Sequence, residues 1–281
     1  MRKNIFEIVS ENIDMESEAE RIITLSDTKK TLETSVRAYT MFDFVDKFCF
    51  STWPYRGHCL DVDDYLTMLD YDSLSENAKY DVESLLTLIE LSYNFWRISN
   101  EKVQASASRV NCLEDYNHLK IIMDDLLNQY NHIAYIDEEN NRVLVIEDKP
   151  EVTSVAEIIQ EKLAPEVIRY NHHSLRGDLD SKKAILIALG AELEPRRKEL
   201  QDLNKQLTSD IFFMLNNMNI RHNNRSKREP AKYKDYVAKM KYDRLEKWYD
   251  ELYQMILLAF LLLDNVSRQK SVAELKSKIG G

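Results

Sequence analysis

The chain has 281 residues, 44% of them hydrophobic, and a formal net charge of −10, so it carries enough apolar matter for a packed core and is not of disordered composition. Five glycines and five prolines are too few turn residues for a sheet-rich fold, which leaves long helices joined by short connections. Three cysteines (Cys49, Cys59 and Cys112) without CxxC spacing exclude a disulfide framework and a cysteine zinc site, and suit a reducing cytoplasm.

The N-terminus reaches Glu7 too early for a secretory leader. The longest apolar run, Met255 to Leu263, is about half a membrane span, so a cytoplasmic chain with no membrane partner is expected. Residues 5–50 read as two or three helices, with Leu32, Val36, Tyr39 and Phe42 on one stripe leading into Phe44, Phe48 and Phe50. Residues 51–58 form a loop around Pro54 and Gly57, and the acidic run Asp61 to Asp64 caps a short helix. Leu66 stands where a calcium loop needs glycine, which excludes that reading.

Ser75 is expected to cap a helix carrying Val82, Leu85, Leu86, Ile89, Tyr93 and Trp96, which breaks at Ala105–Ser108. A helix over 112–131 follows. The β signal lies in 132–136 and 142–146, two apolar segments around a polar turn, read as a hairpin. Helices resume after Pro150 and Pro165, and Asp178 or Asp180 caps a helix bearing Ile185, Leu186 and Leu189. Pro195 divides this from a helix ending at Arg221, and a last long helix runs to about Asn265. The expected fold is mostly α, a multi-helix bundle with one short β-hairpin insertion. An acidic helical region over 1–110 precedes a bundle over 111–281, with the hairpin at 132–147; a boundary near 148–153 is the alternative.

The charge is uneven. Residues 221–247 hold ten basic and four acidic residues, a basic zone in an acidic protein that is compatible with a phosphate ligand. Two polar clusters lie in this half. The apolar stripe Leu200, Leu203, Leu207, Ile211, Met214, Leu215 and Met218, if continued, lands on Arg221 and His222, crowded by Asn217, Asn223 and Asn224. Tyr170 to Asp178 places His172, His173 and Arg176 between two helices. Histidine suits proton transfer near neutral pH, and arginine offers a forked, permanent cation to phosphate oxygens. Together they could cleave RNA without a metal, histidine taking the 2′-OH proton and arginine stabilising the phosphorane charge. The commoner role for such a pair is structural, satisfying helix-end carbonyls and a neighbouring acid. The clusters lack paired carboxylates for zinc, and no cofactor is implied; phosphate loops, a GxSxG elbow and an HExxH helix are absent from the sequence.

Arg221-His222 at the end of a helix in a C-terminal bundle resembles the motif of the HEPN superfamily, closest to its abortive-infection branch of bacterial phage-defence proteins. The resemblance implies a helical, commonly dimeric, metal-independent endoribonuclease, with Arg221 as the motif arginine and His222 as the adjacent polar residue. The family's distal histidine is missing: Asn223 to Arg228 follow instead. His222, His172 or His173 would then supply the proton transfer, with Arg176, Asn217, Asn223, Asn224, Arg225, Lys227 and Arg228 on the RNA backbone. Expected partners are RNA and either a second copy or a cognate protein; the acidic hairpin tip Asp137-Glu138-Glu139 argues against DNA. The competing reading is a noncatalytic helical interaction protein such as an antitoxin, sensor or scaffold.

Overall fold

The computed structural model describes residues 14–28, 30–105 and 110–279. The chain is mostly α and divides into two compact units, 1–148 and 149–281, with the hairpin in the first.

Among the described residues the first unit begins with α1 (Met15–Ile23), capped by Asp14, and one π turn over Thr24–Thr28. The residues expected to continue as helix form β1 (Leu32–Thr34) and β2 (Ala38–Tyr39) instead. Thr34 explains the reversal. Its hydroxyl accepts the Arg37 N–H at 3.0 Å, closing a turn that sets Leu32 opposite Tyr39 and leaves Val36 92% exposed. Spacing compatible with one helical face is equally compatible with two strands folded across a turn. Those parts of the first predicted helix in residues 5–13 lie outside the described residues. Helix α2 (Met41–Phe48) starts at a reciprocal capping box between Thr40 and Asp43. Helices α3 (Val62–Met68, capped by Asp61) and α4 (Tyr71–Asn77) follow. Ser75 sits inside α4; the carboxylate of Asp81 does the capping expected of Ser75, accepting the Ser84 N–H at 2.9 Å.

Helix α5 (Val82–Ala105) is the core element of this unit, burying Leu85, Leu86, Leu88, Ile89 and Phe95. Phe95 meets Phe42 and Trp53 edge-on at 5.5 and 5.4 Å between ring centroids. Strand β3 (Val110–Cys112) completes a three-stranded sheet of order β2-β1-β3, which the sequence reading missed. Helix α6 (Glu114–Gln129) leads into the expected hairpin, of β4 (His132–Asp137) and β5 (Arg142–Glu147), with His132 opposite Glu147. Asn94 of α5 clamps β5: its amide donates to Val143 O at 2.9 Å and accepts Val143 N–H at 2.8 Å. Cys49, at the end of α2, is buried with its Sγ 3.7 Å from Ile98 O, and burial pushes its thiol up to about 11.

The second unit begins with α7 (Pro150–Ile158) and α8 (Ala164–Tyr170), both with proline in the first turn. Helix α9 (Leu179–Leu193) is capped by Asp178, and Pro195 ends it. The expected single helix to Arg221 is broken at Asn204 into α10 (Arg197–Leu203) and α11 (Lys205–Asn217), because the Asn204 side chain caps the second piece by accepting Leu207 N–H at 3.0 Å. Leu200, Leu207, Ile211, Met214, Leu215 and Met218 of the expected stripe are buried, but Leu203, beside the break, is 44% exposed. At Gly190 an added Cβ would lie 2.8 Å from Leu215 Cδ1, which is how closely α9 and α11 approach. A short helix α12 (Asp235–Ala238) precedes α13 (Tyr242–Ile279), 38 residues and about 57 Å long. Leu245, Leu252, Ile256 and Phe260 of α13 are buried as expected, but Tyr236 and Trp248 are 63% and 40% exposed. Beyond Leu263 no residue of α13 is buried. No described helix is long and apolar enough to cross a membrane.

Candidate functional site

The polar segment after α11 does not continue the helix. Asn219 takes a left-handed backbone, φ 63°, which turns the chain so that Arg221 and His222 sit in a loop. Arg221 Nη2 lies 2.7 Å from a Glu194 carboxylate oxygen and donates to Gly190 O at 3.1 Å, with its guanidinium 5.5 Å from the centre of the Phe212 ring. A carbonyl near the end of α9 and a neighbouring acid therefore hold this cation, the structural arrangement set against catalysis in the sequence. His222 is half-buried, and its imidazole has no hydrogen-bond partner among the described residues. Asn224 is fully buried: Oδ1 accepts Asn219 N–H at 2.8 Å and Nδ2 donates to Lys232 O at 2.7 Å. Both ends of its amide are occupied in shaping the loop, so no face of it is left for phosphate. Asn217 Nδ2 donates within its own helix to Phe213 O.

In the other cluster, His172 Nδ1 is 2.8 Å from Ser174 Oγ, and the His172 and His173 rings lie 4.5 Å apart. His173 is buried and Arg176 exposed. Arg221 and the two histidines are thus engaged by different neighbours. The clusters meet elsewhere. Gly177, Asp178, Leu179, Asp180 and Lys183 from the start of α9 share a cavity of about 340 Å³ with Asn219 and Arg225 of the loop and Tyr242, Leu245 and Tyr249 of α13. Arg225 donates to Met240 O at 3.2 Å, and its guanidinium stands 4.8 Å from the centre of the Tyr242 ring. Tyr249 donates to the backbone carbonyl of Asn219 at 3.4 Å; burial, opposed by the Asn219 side chain and by the charge of Arg225, pushes its hydroxyl up to about 12, so it is a donor at neutral pH.

Beside this cavity lies a charged network that the sequence reading missed. Lys182 is buried, with Nζ 2.8 Å from both Glu246 and Asp250. Glu246 also accepts Gly177 N–H at 2.7 Å, and Tyr170 donates to Asp250 at 3.0 Å while stacking on Tyr253 at 3.9 Å. Burial works against ionisation of Glu246, yet the Lys182 and Gly177 hydrogen bonds and the charges of Lys182 and Arg176 hold its carboxyl below the usual range. The signal was in the sequence: Lys182 occupies the same stripe as Ile185, Leu186 and Leu189, and Glu246 and Asp250 lie four apart on the buried side of α13. A lysine on an apolar stripe calls for acids facing it.

The loop and the start of α13 also present exposed cations. Lys227, Arg228, Lys232, Lys234, Lys241, Arg244 and Lys247 are all exposed, and none has an ion-pair partner among the described residues. Of the acids in that stretch, Asp235 is taken by Lys239 and Glu246 by Lys182. The class defined so far is a mostly helical protein with a basic loop and a polar cavity in its second unit. No protein-family model, no curated protein and no solved structure matches the chain.

Proposed function

We propose that the second unit binds RNA, as the RNA-engaging part of an effector of bacterial abortive-infection or toxin type, with the 222–234 loop and the first turns of α13 holding the phosphodiester backbone. The observation that supports this is the set of exposed cations Lys227, Arg228, Lys232, Lys234, Lys241, Arg244 and Lys247, without ion-pair partners among the described residues, in a protein of net charge −10. Cations that neutralise no acid of their own are available to phosphates, whose condensed counterions are released on contact. Arg221 shapes this loop through Glu194 and Gly190 rather than contacting phosphate, and the proposal is for binding rather than hydrolysis. Fluorescence anisotropy with single-stranded RNA at rising salt tests it. With five phosphates engaged, the slope of log K against log salt is about −3.5 at about −0.7 per phosphate contact, and Lys227→Gln with Arg228→Gln lowers it by about 1.4. A slope near zero sinks the proposal. RNA cleavage in EDTA that is lost in Arg221→Ala would overturn the noncatalytic part.

A second reading, a protein–protein interaction module, is favoured by one observation: the last turns of α13 expose Val272, Leu275 and Ile279 at 48%, 55% and 75%. Light scattering would then show a dimer, and removal of residues 265–279 would return it to a monomer.

A further inference from the structure

We propose that the cavity between the start of α9, the Asn219–Arg225 loop and α13 takes one unstacked base of the bound RNA, and that it prefers a base carrying an exocyclic amino group. This rests on the RNA-binding reading above and assigns the cavity within it.

The charges lining the cavity cancel. Lys183 and Arg225 face Asp178 and Asp180, so the cavity offers no net attraction to a phosphate, while the exposed cations outside it do. A phosphate also brings only acceptors. The cavity needs more than that: Arg225 Nη1 is a buried donor without a hydrogen-bond partner among the described residues, and Asn219 Oδ1 is a buried acceptor in the same position. The edge of a nucleobase supplies both donors and acceptors, so it can answer both atoms after small side-chain shifts, where phosphate could answer only the arginine.

The apolar surfaces fit the same ligand. Tyr242 is 70% exposed although Arg225 stands over its ring, which leaves aromatic surface free to stack on a base. Leu179, Leu245 and Tyr249 complete the lining. The volume of about 340 Å³ lies at the lower end of ligand clefts, which run to about 1,000 Å³.

The amino preference comes from the acids. Asp178 spends its carboxylate on the Ser181 N–H at 3.0 Å, capping α9. Asp180 is exposed and has neither a hydrogen bond nor an ion pair from its side chain among the described residues, so it is the acceptor left for a base amine. Cytosine presents such an amine and uracil, of the same size, does not.

The test uses the full chain and two fluorescein-labelled probes of equal length, oligo(rC) and oligo(rU), read by anisotropy at one salt concentration. Wild type is expected to bind oligo(rC) about tenfold more tightly. Asp180→Ala removes the acceptor together with a negative charge and shifts both affinities, so the ratio is the readout; it should fall to within about twofold. Tyr242→Ala should weaken both probes by about tenfold, through loss of stacking. Thermal melting confirms that each variant is folded. Equal binding of the two probes by wild type, or a ratio unmoved by Asp180→Ala, overturns the base pocket while leaving backbone binding intact. Failure to bind either probe overturns the RNA reading, and the pocket with it.

Discussion

Lys182 is the side chain whose removal the second unit should tolerate least. It neutralises Glu246 and Asp250 from a buried position, so Lys182→Met leaves Glu246 partly buried without its cation, at a cost of about 3 kcal/mol by urea denaturation. Its pH signature is distinct. Glu246 titrates below its unfolded value, near 4.3 for a free glutamate, so the stability it contributes is present above that pH and is lost as pH falls through the folded value. Wild-type stability should therefore drop as pH falls below about 4, and Lys182→Met should flatten that part of the curve; a parallel curve would show that the pair contributes nothing through this linkage. Asn224→Ala should cost about 2 kcal/mol, since it orphans the Asn219 N–H and the Lys232 carbonyl. The sequence singled out Arg221, His222 and the 172–176 segment but not the network of Lys182, Glu246 and Asp250. Arg221 and His222 stood out as costly groups to bury, and both are half-buried; nothing in residue type told whether a ligand or Glu194 and Gly190 would satisfy the arginine.

The elements were most legible where local chemistry decides them. The hairpin followed from alternating apolar residues around a polar turn, and Pro150, Pro165 and Pro195 lie in first turns or at a break, as their missing N–H requires. Strands β1 to β3 were not legible, because each is two or three residues long and Leu32–Tyr39 fits either period. Nor was the break at Asn204, where an asparagine can ride along a helix or cap a new one. The clamp by Asn94 gives this scale a measurable consequence. Asn94→Ala removes both bonds to Val143, and hydrogen exchange at the Val143 amide should speed up more than at Val145, whose N–H is held 2.6 Å from Glu90. The end of α13 makes the opposite case. Deleting residues 265–279 removes exposed surface and one half-buried side chain, Val266, so the melting temperature should move by less than about 2 °C; a larger fall would mean that this segment packs in solution.

For the whole molecule, composition carried the fold class: few glycines and prolines meant helices, and helices are what form. It carried the position of charge but not its use, because a count of lysines does not say which of them already face acids. Only coordinates separate Lys239, taken by Asp235, from Lys227 and Arg228, which are left over. The surplus makes a prediction about selectivity. On the RNA-binding proposal, with few cations set against an overall charge of −10, duplex DNA should fail to compete at equal phosphate concentration once salt exceeds about 150 mM, where the Debye length is about 8 Å. Filter-binding competition checks this, and effective competition by DNA would reduce the basic loop to a nonspecific polyanion surface.

The placement of the cysteines gives the protein a built-in reporter. Cys49, Cys59 and Cys112 all belong to the first unit; Cys49 and Cys59 are buried, and burial raises the thiols of Cys49 and Cys112 above their ordinary values. A maleimide pulse applied during denaturation would therefore tag that unit as it opens and stay silent about the other, so a chain that labels while the Lys182 network is still closed would reveal two independent thermometers in one polypeptide.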